Sequence, residues 1–381
     1  MKHFFLIILS VLTCLPLLWS CSEQGTSIDL GTPAYTPRHA TSFEIYDAGE
    51  SSSILRIFNP WQGARDITRD LFISRNNELP PEGFEGAVIT ATPKKVVCMS
   101  TSHIAFIDAV NGCSSIKGVS GTDFVSNESV RAAIERKEVA DVGYDANVNY
   151  ELIASIAPDI VFIYGVAGEN TAMVNKLTEM NIPAFYICDY LEQTPLGKSE
   201  WVVAFGEIYG NREEAEKLFD EIEQNYNDIK NRATEYTSRP KVMLNAPYRD
   251  TWFVPGDRSY VVTLINDAGG EYICGGHDNE ISRPLSSEAA YLHLCEADIW
   301  LNPNQAESIA ELAALNPKFA DTPVMKNHNV YNNTNRITKA GGSDFWESGA
   351  LRADVVLADM LHILHPESNT NHELFYFKRL Y

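Results

Sequence analysis

The sequence has no CxxC pair, no GxGxxG or GxxxxGK[ST] loop, and no GxSxG elbow around a serine. The first absence removes the close cysteine spacing of many zinc and dithiol sites. The second removes the usual backbone cradles for dinucleotides and nucleoside triphosphates. The third removes the strained strand-to-helix turn that exposes a hydrolase serine: Met99-Ser100-Thr101-Ser102-His103 has the strand and helix but no flanking glycines. Positive charge is scarce too. Lys and Arg total 30 against 51 Asp and Glu, a formal net charge of −21 that opposes nucleic acid and anionic membranes as partners.

The N-terminus carries a targeting signal. Lys2 and His3 precede FFLIILSVLTCLPLLW, then Leu18-Trp19-Ser20-Cys21, and a polar stretch follows with no basic stop-transfer cluster. A short charged start, an apolar run and a small residue before the cut describe a secretory signal peptide over residues 1–20. Leu-x-Ser-Cys resembles the bacterial lipobox, which makes Cys21 the lipidated residue, despite the unusual Trp19. Of the seven cysteines, loss of Cys14 and lipidation of Cys21 leave Cys98, Cys113, Cys188, Cys274 and Cys295. Their odd number, and the apolar runs around Cys98 and Cys188, predict buried free thiols rather than a disulfide framework. Residues 21–42 read as a flexible tether and 43–92 as a small β extension with strand-like pieces FEIYD, SILRIFNPW and DLFIS.

From Pro93 the pattern becomes alternating strands and helices, and its apolar runs are continuous rather than alternating. Such strands are covered on both faces, which predicts parallel sheets with helices on each side. The grammar runs over 93–190, pauses at 191–238, and resumes over 239–367, before a C-terminal tail at 368–381. The pause contains the longest helical pattern, Trp201 to Tyr236, with apolar positions at Leu218, Phe219, Ile222, Tyr226 and Ile229. Gly210 interrupts it, and Asn211 with Glu214 reads as an N-cap and capping box restarting it. On either side lies an echo: Asn149-Tyr150-Glu151, a helix, then Ala157-Pro158-Asp159-Ile160-Val161, against Ser286-Ser287-Glu288, a helix, then Glu296-Ala297-Asp298-Ile299-Trp300. The expected architecture is α/β, with two Rossmann-like lobes joined by one long backbone helix.

Open parallel sheets bind ligands beyond the carboxyl ends of their strands, so two facing lobes place the site in the cleft between them. In the first lobe this singles out Ser100, His103, Thr122-Asp123-Phe124, Tyr144-Asp145, Tyr164 and Tyr190. In the second it singles out Tyr248, Arg249, Trp252, Asn302, Asn304, Arg336, Phe345 and Trp346. Aromatics with a few polar groups suit a large, partly apolar ligand, and Arg249 and Arg336 could pair with its anionic groups. For any one aromatic the plainer reading is ordinary packing. His103, His277, His293 and His328 raise the question of a metal, but only His103 sits plainly at a strand end, and no metal site is assigned. Glu151 and Glu288 each sit in the first turn of a helix, where a carboxylate is stabilised by the unpaired N–H groups. That explains each separately, though not their recurrence at matching places.

PKKVVCMS, NYELIASIAPDIVFIYG, SYVVTLINDAGGEYI, SSEAAYLHLCEADIWLNP and ADVVLADMLHILHPE, in this order around a long helix, resemble the ABC-transporter solute-binding proteins for ferric siderophores, haem and cobalamin, especially the lipoprotein members. The likeness spans about Pro93 to Glu367. It implies a non-catalytic receptor whose lobes hold a metal chelate in a shallow cleft, with no cofactor beyond that ligand. It also implies an ABC permease and its ATPase as partners, and a place in the cell envelope, held to a membrane through Cys21. In that family a glutamate near a helix start on each lobe docks into permease arginines, and by motif these are Glu151 and Glu288. The extension with Asn59-Pro60-Trp61-Gln62 and the insertion Ser368 to His372 depart from the family pattern. Two other readings stay open: a receptor for free zinc or manganese, with ligands meeting at His103, and an enzyme acting on a chelate or corrinoid.

Overall fold

A computed structural model describes residues 28–144, 147–166, 168–249, 251–304, 306–368 and 371–381. The signal peptide, Cys21 and Asp145 lie outside the described residues. The β extension is a four-stranded sheet in the order Phe43–Asp47, Ser53–Phe58, Thr68–Ile73, Ala87–Ile89, antiparallel except for the last pair. It does not stand apart from the rest. Phe43 meets Trp201 at 5.1 Å between ring centroids, Trp61 meets Tyr186 at 5.5 Å, and Arg75 donates to the carbonyls of Glu207 and Ile208.

The expected tether extends too far. Residues 35–42 are fixed on two buried carboxylates. Glu200 accepts hydrogen bonds from Tyr35 Oη and from the backbone N–H groups of Arg38, His39 and Ala40 at 2.7–2.8 Å. Glu192 accepts from the N–H groups of Thr41 and Ser42, from both hydroxyls, and from Trp201 Nε1. A run of Ser, Thr and Pro reads as unstructured because its backbone partners lie about 150 to 160 residues away in sequence, on acids that look like ordinary helix-surface residues.

The first lobe holds a five-stranded parallel sheet in the order Ala140–Asp141, Ile116–Val119, Val96–Cys98, Ile160–Ile163, Ala184–Tyr186. The second holds Glu271–Tyr272, Lys241–Leu244, Ile299–Leu301, Val330–Asn332 and Lys378–Arg379, with only the last strand antiparallel. The residues expected to form a separate tail therefore complete the second sheet. Buried Asp359 secures them by accepting from the N–H groups of Phe375, Tyr376 and Phe377 and contacting His372 Nε2 at 2.8 Å. The sequence echo has a structural cause. Asp159 and Asp298 each open a strand, and each accepts from the backbone N–H at the start of the neighbouring strand, Lys95 at 2.9 Å and Lys241 at 2.8 Å.

The stretch Trp201 to Tyr236 contains two helices, Pro195–Tyr209 and Arg212–Ala233, folded against each other. Gly210, at φ 77°, ends the first in a Schellman turn: Asn211 N–H bonds the Gly206 carbonyl at 2.7 Å and Gly210 N–H bonds that of Glu207 at 3.2 Å. Arg38 shows the antiparallel arrangement, since its N–H reaches Glu200 while its guanidinium reaches Asp220 and Glu223. Asn211 does not close the expected capping box; its amide donates to the Val110 carbonyl. The second helix, about 33 Å long at 1.5 Å per residue, is the long connector. Acids in its first turn and Lys230 and Arg232 in its last suit the helix dipole. Its far end joins the second lobe through Tyr226 Oη to Asp267 at 2.7 Å and Lys230 to Asp267 at 2.9 Å.

Candidate functional site between the lobes

The carboxyl ends of both sheets carry the loops that sequence reasoning singled out. In the first lobe, Ser100 caps the helix Thr101–Ala109, and exposed Phe124 and Tyr144 meet edge to face at 6.2 Å. Tyr164 packs edge-on to Tyr190, whose hydroxyl accepts from Gly165 N–H. Beside them is an open depression of about 670 Å³ lined by Met99, Ser120, Tyr150, Tyr164, Val166 and Asn170, among others, all from this lobe. Another depression, of about 450 Å³, lies at the junction of the extension and the helical hairpin. It is lined by Asp47, Arg75 and Glu213 among others and touches neither set of strand ends.

In the second lobe the loop after Lys241–Leu244 is braced from beneath. Trp252 Nε1 donates to the Leu244 carbonyl, Trp300 Nε1 to that of Asn245, and Asn304 Nδ2 to that of Ala246. Asn245, Arg249, Asn302 and Asn304 all adopt positive φ. On this support Tyr248 stands exposed, with the Arg249 guanidinium 5.3 Å from its ring centre. Arg249 has no carboxylate partner among the described residues. Arg336 differs, since Asp344 holds it at 2.7 Å.

The lobes touch beside this mouth. Gly342 lies against the Phe124 carbonyl where a Cβ would not fit. Glu347 reaches from the second lobe to accept from Ser126 N–H at 2.8 Å and Asn127 N–H at 2.6 Å, at the start of the helix Glu128–Glu135. Burial pushes the Glu347 carboxyl up from its ordinary 4.5 to about 7, with Asp344 and Asp108 adding to the rise and the two N–H donors opposing it. The difference corresponds to about 3 kcal/mol by which the folded protein favours the protonated over the ionised carboxyl. That preference is fully present below about pH 4.5 and is lost as pH rises through about 7. The melting temperature should therefore fall between pH 4.5 and 7 by more in the native protein than in Glu347→Gln. Parallel profiles would show that this carboxyl's titration is not coupled to folding.

Residues 96–336 match the periplasmic binding protein family. The chain belongs to that family. It is 27% identical to an uncharacterized lipoprotein of Methanocaldococcus jannaschii over 84% of this chain and 80% of that one. It is 23% identical to the high-affinity heme uptake system protein IsdE of Staphylococcus aureus over 51% and 66% of the respective chains. Among solved structures, a periplasmic heme-binding protein of Pseudomonas aeruginosa superposes with a TM-score of 0.55 at 19% identity, covering 73% of this chain and 94% of that one. The heme complex of S. aureus IsdE gives 0.51 at 18% identity, covering 71% and 98%. Identities this low establish the two-lobed fold. As a periplasmic binding protein, the chain is a solute-binding protein and not an enzyme.

Three candidates do not face the cleft of this periplasmic binding protein. His103 is fully buried against Phe162, both ring nitrogens lack hydrogen-bond partners among the described residues, and burial pushes its pKa down to about 3. Trp252 is buried between Trp300 and Phe319, and Phe345 is buried beside Phe377. Trp346 and Tyr248 are 58% and 64% exposed, which leaves them as the second lobe's free aromatic surfaces at the mouth. Glu151 and Glu288 are exposed in the first turns of Tyr150–Ile156 and Ser287–Glu296, one on each lobe, behind side-chain caps from Asn149 and Ser286. The described cysteines are all free, as expected; Cys98, Cys188 and Cys274 are buried, whereas Cys113 and Cys295 are only half-buried.

Sequence reasoning missed Glu347, Asp189, Lys198 and Tyr260. Lys198 follows the edge strand Ala184–Tyr186 of the first lobe, and Tyr260 opens the helix Tyr260–Asp267 of the second. The Lys198 Nζ sits 5.1 Å from the Tyr260 ring centre. Nothing around Lys198 in TPLGKSEW marks it; only the meeting of the lobes does.

Proposed function

We propose that the protein captures a metal chelate (a ferric siderophore, haem or a cobalamin) between its lobes and hands it to an ABC permease. The observation carrying this reading is the set of exposed aromatics on the loops of both lobes, Phe124 and Tyr144 in the first and Tyr248 and Trp346 in the second, with the Arg249 cation beside Tyr248. Flat apolar rings with a few charged groups suit a large conjugated or aromatic chelate better than a small polar solute. The heme-uptake and heme-binding descriptions of similar proteins support the same class. Ser100, Tyr164 and Arg336 follow strands of the same lobes and would add polar contacts.

Glu151 and Glu288 are taken as the permease-docking acids, one per lobe, and Cys21 as the point of lipid attachment at the membrane. Among the described residues no helix is long and apolar enough to cross a bilayer, and a lipid anchor would supply the attachment. The reading as a free zinc or manganese receptor has less support. Its pivot, His103, is sealed in the core, and no group of three or more His, Cys, Asp or Glu that could hold an ion converges among the described residues.

The test is titration of the purified protein with haemin, cobalamin and a panel of ferric siderophores, followed by tryptophan fluorescence. Exposed Trp346 should quench on binding, and Trp346→Phe should remove most of that signal, whereas buried Trp252 should contribute little. Binding of zinc or manganese ions with no response to any chelate would overturn the proposal.

A further inference from the structure

The Lys198 ammonium is mostly withdrawn from water and yet makes no hydrogen bond or contact ion pair among the described residues. A charge in that position normally finds a partner, because an ion removed from water loses solvation that only an opposite charge or a set of hydrogen bonds restores. Of the two acids whose charge reaches it, buried Asp189 makes no contact ion pair with it, and Glu192 is engaged elsewhere. Glu192 binds Thr41, Ser42 and Trp201. Both still act on Lys198 through space, opposing the lowering of its pKa by burial.

The other neighbour comes from the opposite lobe. Tyr260 presents its ring to Nζ, a partial compensation that leaves the ammonium free to take an anion. The Tyr260 hydroxyl also has no hydrogen-bond partner among the described residues. Lys198 lies in the first turn of the helix after the edge strand Ala184–Tyr186 of the first lobe's parallel sheet, and Tyr260 opens the helix after the Trp252–Val254 strand of the second lobe. A cation from one lobe and a phenol from the other thus meet where the lobes come together.

We propose that Lys198 and Tyr260 form an anchor between the lobes for an anionic oxygen of the ligand, a carboxylate or a phenolate. This rests on the chelate reading and narrows it to chelates bearing such a group. The ammonium pairs with the oxygen, the Tyr260 hydroxyl donates a hydrogen bond to it, and Arg249 at the rim receives a second anionic group where one exists. Because the chain as a whole is strongly acidic, such a ligand needs local cations to bind at all. Contact with a residue of each lobe also makes closure depend on the anion.

The experiment measures the affinity of the native protein, Lys198→Gln, Lys198→Arg and Tyr260→Phe for five probes. Haemin, a ferric tricatecholate and ferric citrate carry anionic oxygens, whereas haemin dimethyl ester and a neutral ferric trihydroxamate do not. The native protein should favour an anionic probe. Lys198→Gln should weaken that binding by at least about tenfold and leave the neutral probes within about twofold, and Lys198→Arg should restore most of it. Tyr260→Phe should cost less than Lys198→Gln. Thermal melts confirm that each variant is folded. Equal losses on charged and neutral probes, or no loss on the preferred one, would overturn the anchor while leaving the chelate reading intact. If no chelate binds the native protein, the chelate reading fails, and metal-free citrate and dihydroxybenzoate decide the anchor. Binding lost in Lys198→Gln supports it, and absence of binding overturns it.

Discussion

Changing Glu200 to Ala is expected to lower the free energy of unfolding by about 3–5 kcal/mol, the range seen when one partner of a buried charged network is removed. The carboxylate is fully buried and accepts four hydrogen bonds at 2.7–2.8 Å, three of them from consecutive backbone N–H groups. Hydrogen bonds to a charged acceptor contribute about 1.5–3 kcal/mol each, and their loss leaves donors that fold back on nothing. The sum exceeds the expected loss because residues 35–40 can peel away and recover water. Glu200→Gln keeps one acceptor oxygen and should lose about half as much. The partly exposed Glu223, which meets Arg38 and His39, should cost less than about 1 kcal/mol on change to Ala. Chemical denaturation gives the energies, and hydrogen exchange at Arg38, His39 and Ala40 reports release of the segment. If those amides stay protected in Glu200→Ala, the segment is held by something else.

The double change Glu151→Ala and Glu288→Ala is expected to abolish import while leaving chelate affinity within about twofold. Both carboxylates are exposed, lie on different lobes, and have no partner among the described residues, so the isolated protein scarcely needs them. If each enters a desolvated pair with a permease arginine, losing one should weaken docking by about 30-fold or more. The two should combine multiplicatively provided their spacing is fixed. The connector Arg212–Ala233 and the Glu347 contact supply that rigidity. Docking is read from binding to the permease in membranes, and import from uptake of whichever chelate titrates. Normal uptake by the double variant would remove these residues from the permease interface.

The two aspartates Asp159 and Asp298 explain why so much of the fold was legible. Each starts a strand after an equivalent helix, and each bonds to the start of the neighbouring strand in its sheet, so the same short pattern encodes the same structure twice. Continuous apolar runs such as Ile160–Ile163 carried the parallel sheets for a similar reason. The hairpin was half legible. Gly210 announced a break, but a break alone does not say whether the next helix continues or turns back. The close approach of Gly206 to Ala215 determines that, and it involves tertiary packing.

The site was legible as a set of strand ends and not as a set of side chains. His103 and Trp252 occupy the right ends but point inward, because further elements cover them: Phe162 lies against the one, Trp300 and Phe319 against the other. Periodicity cannot give that orientation where a helix such as Thr101–Ala109 is buried on nearly every side. By itself the sequence determined the two α/β lobes, the long connector and the pair of first-turn glutamates, all of which follow from spacing along a few turns of chain. Tertiary structure decided which strand-end residues reach the cleft, and it brought Lys198 to Tyr260 and Glu347 to Ser126. That last pair is separated by 221 residues, and no local pattern spans such a distance.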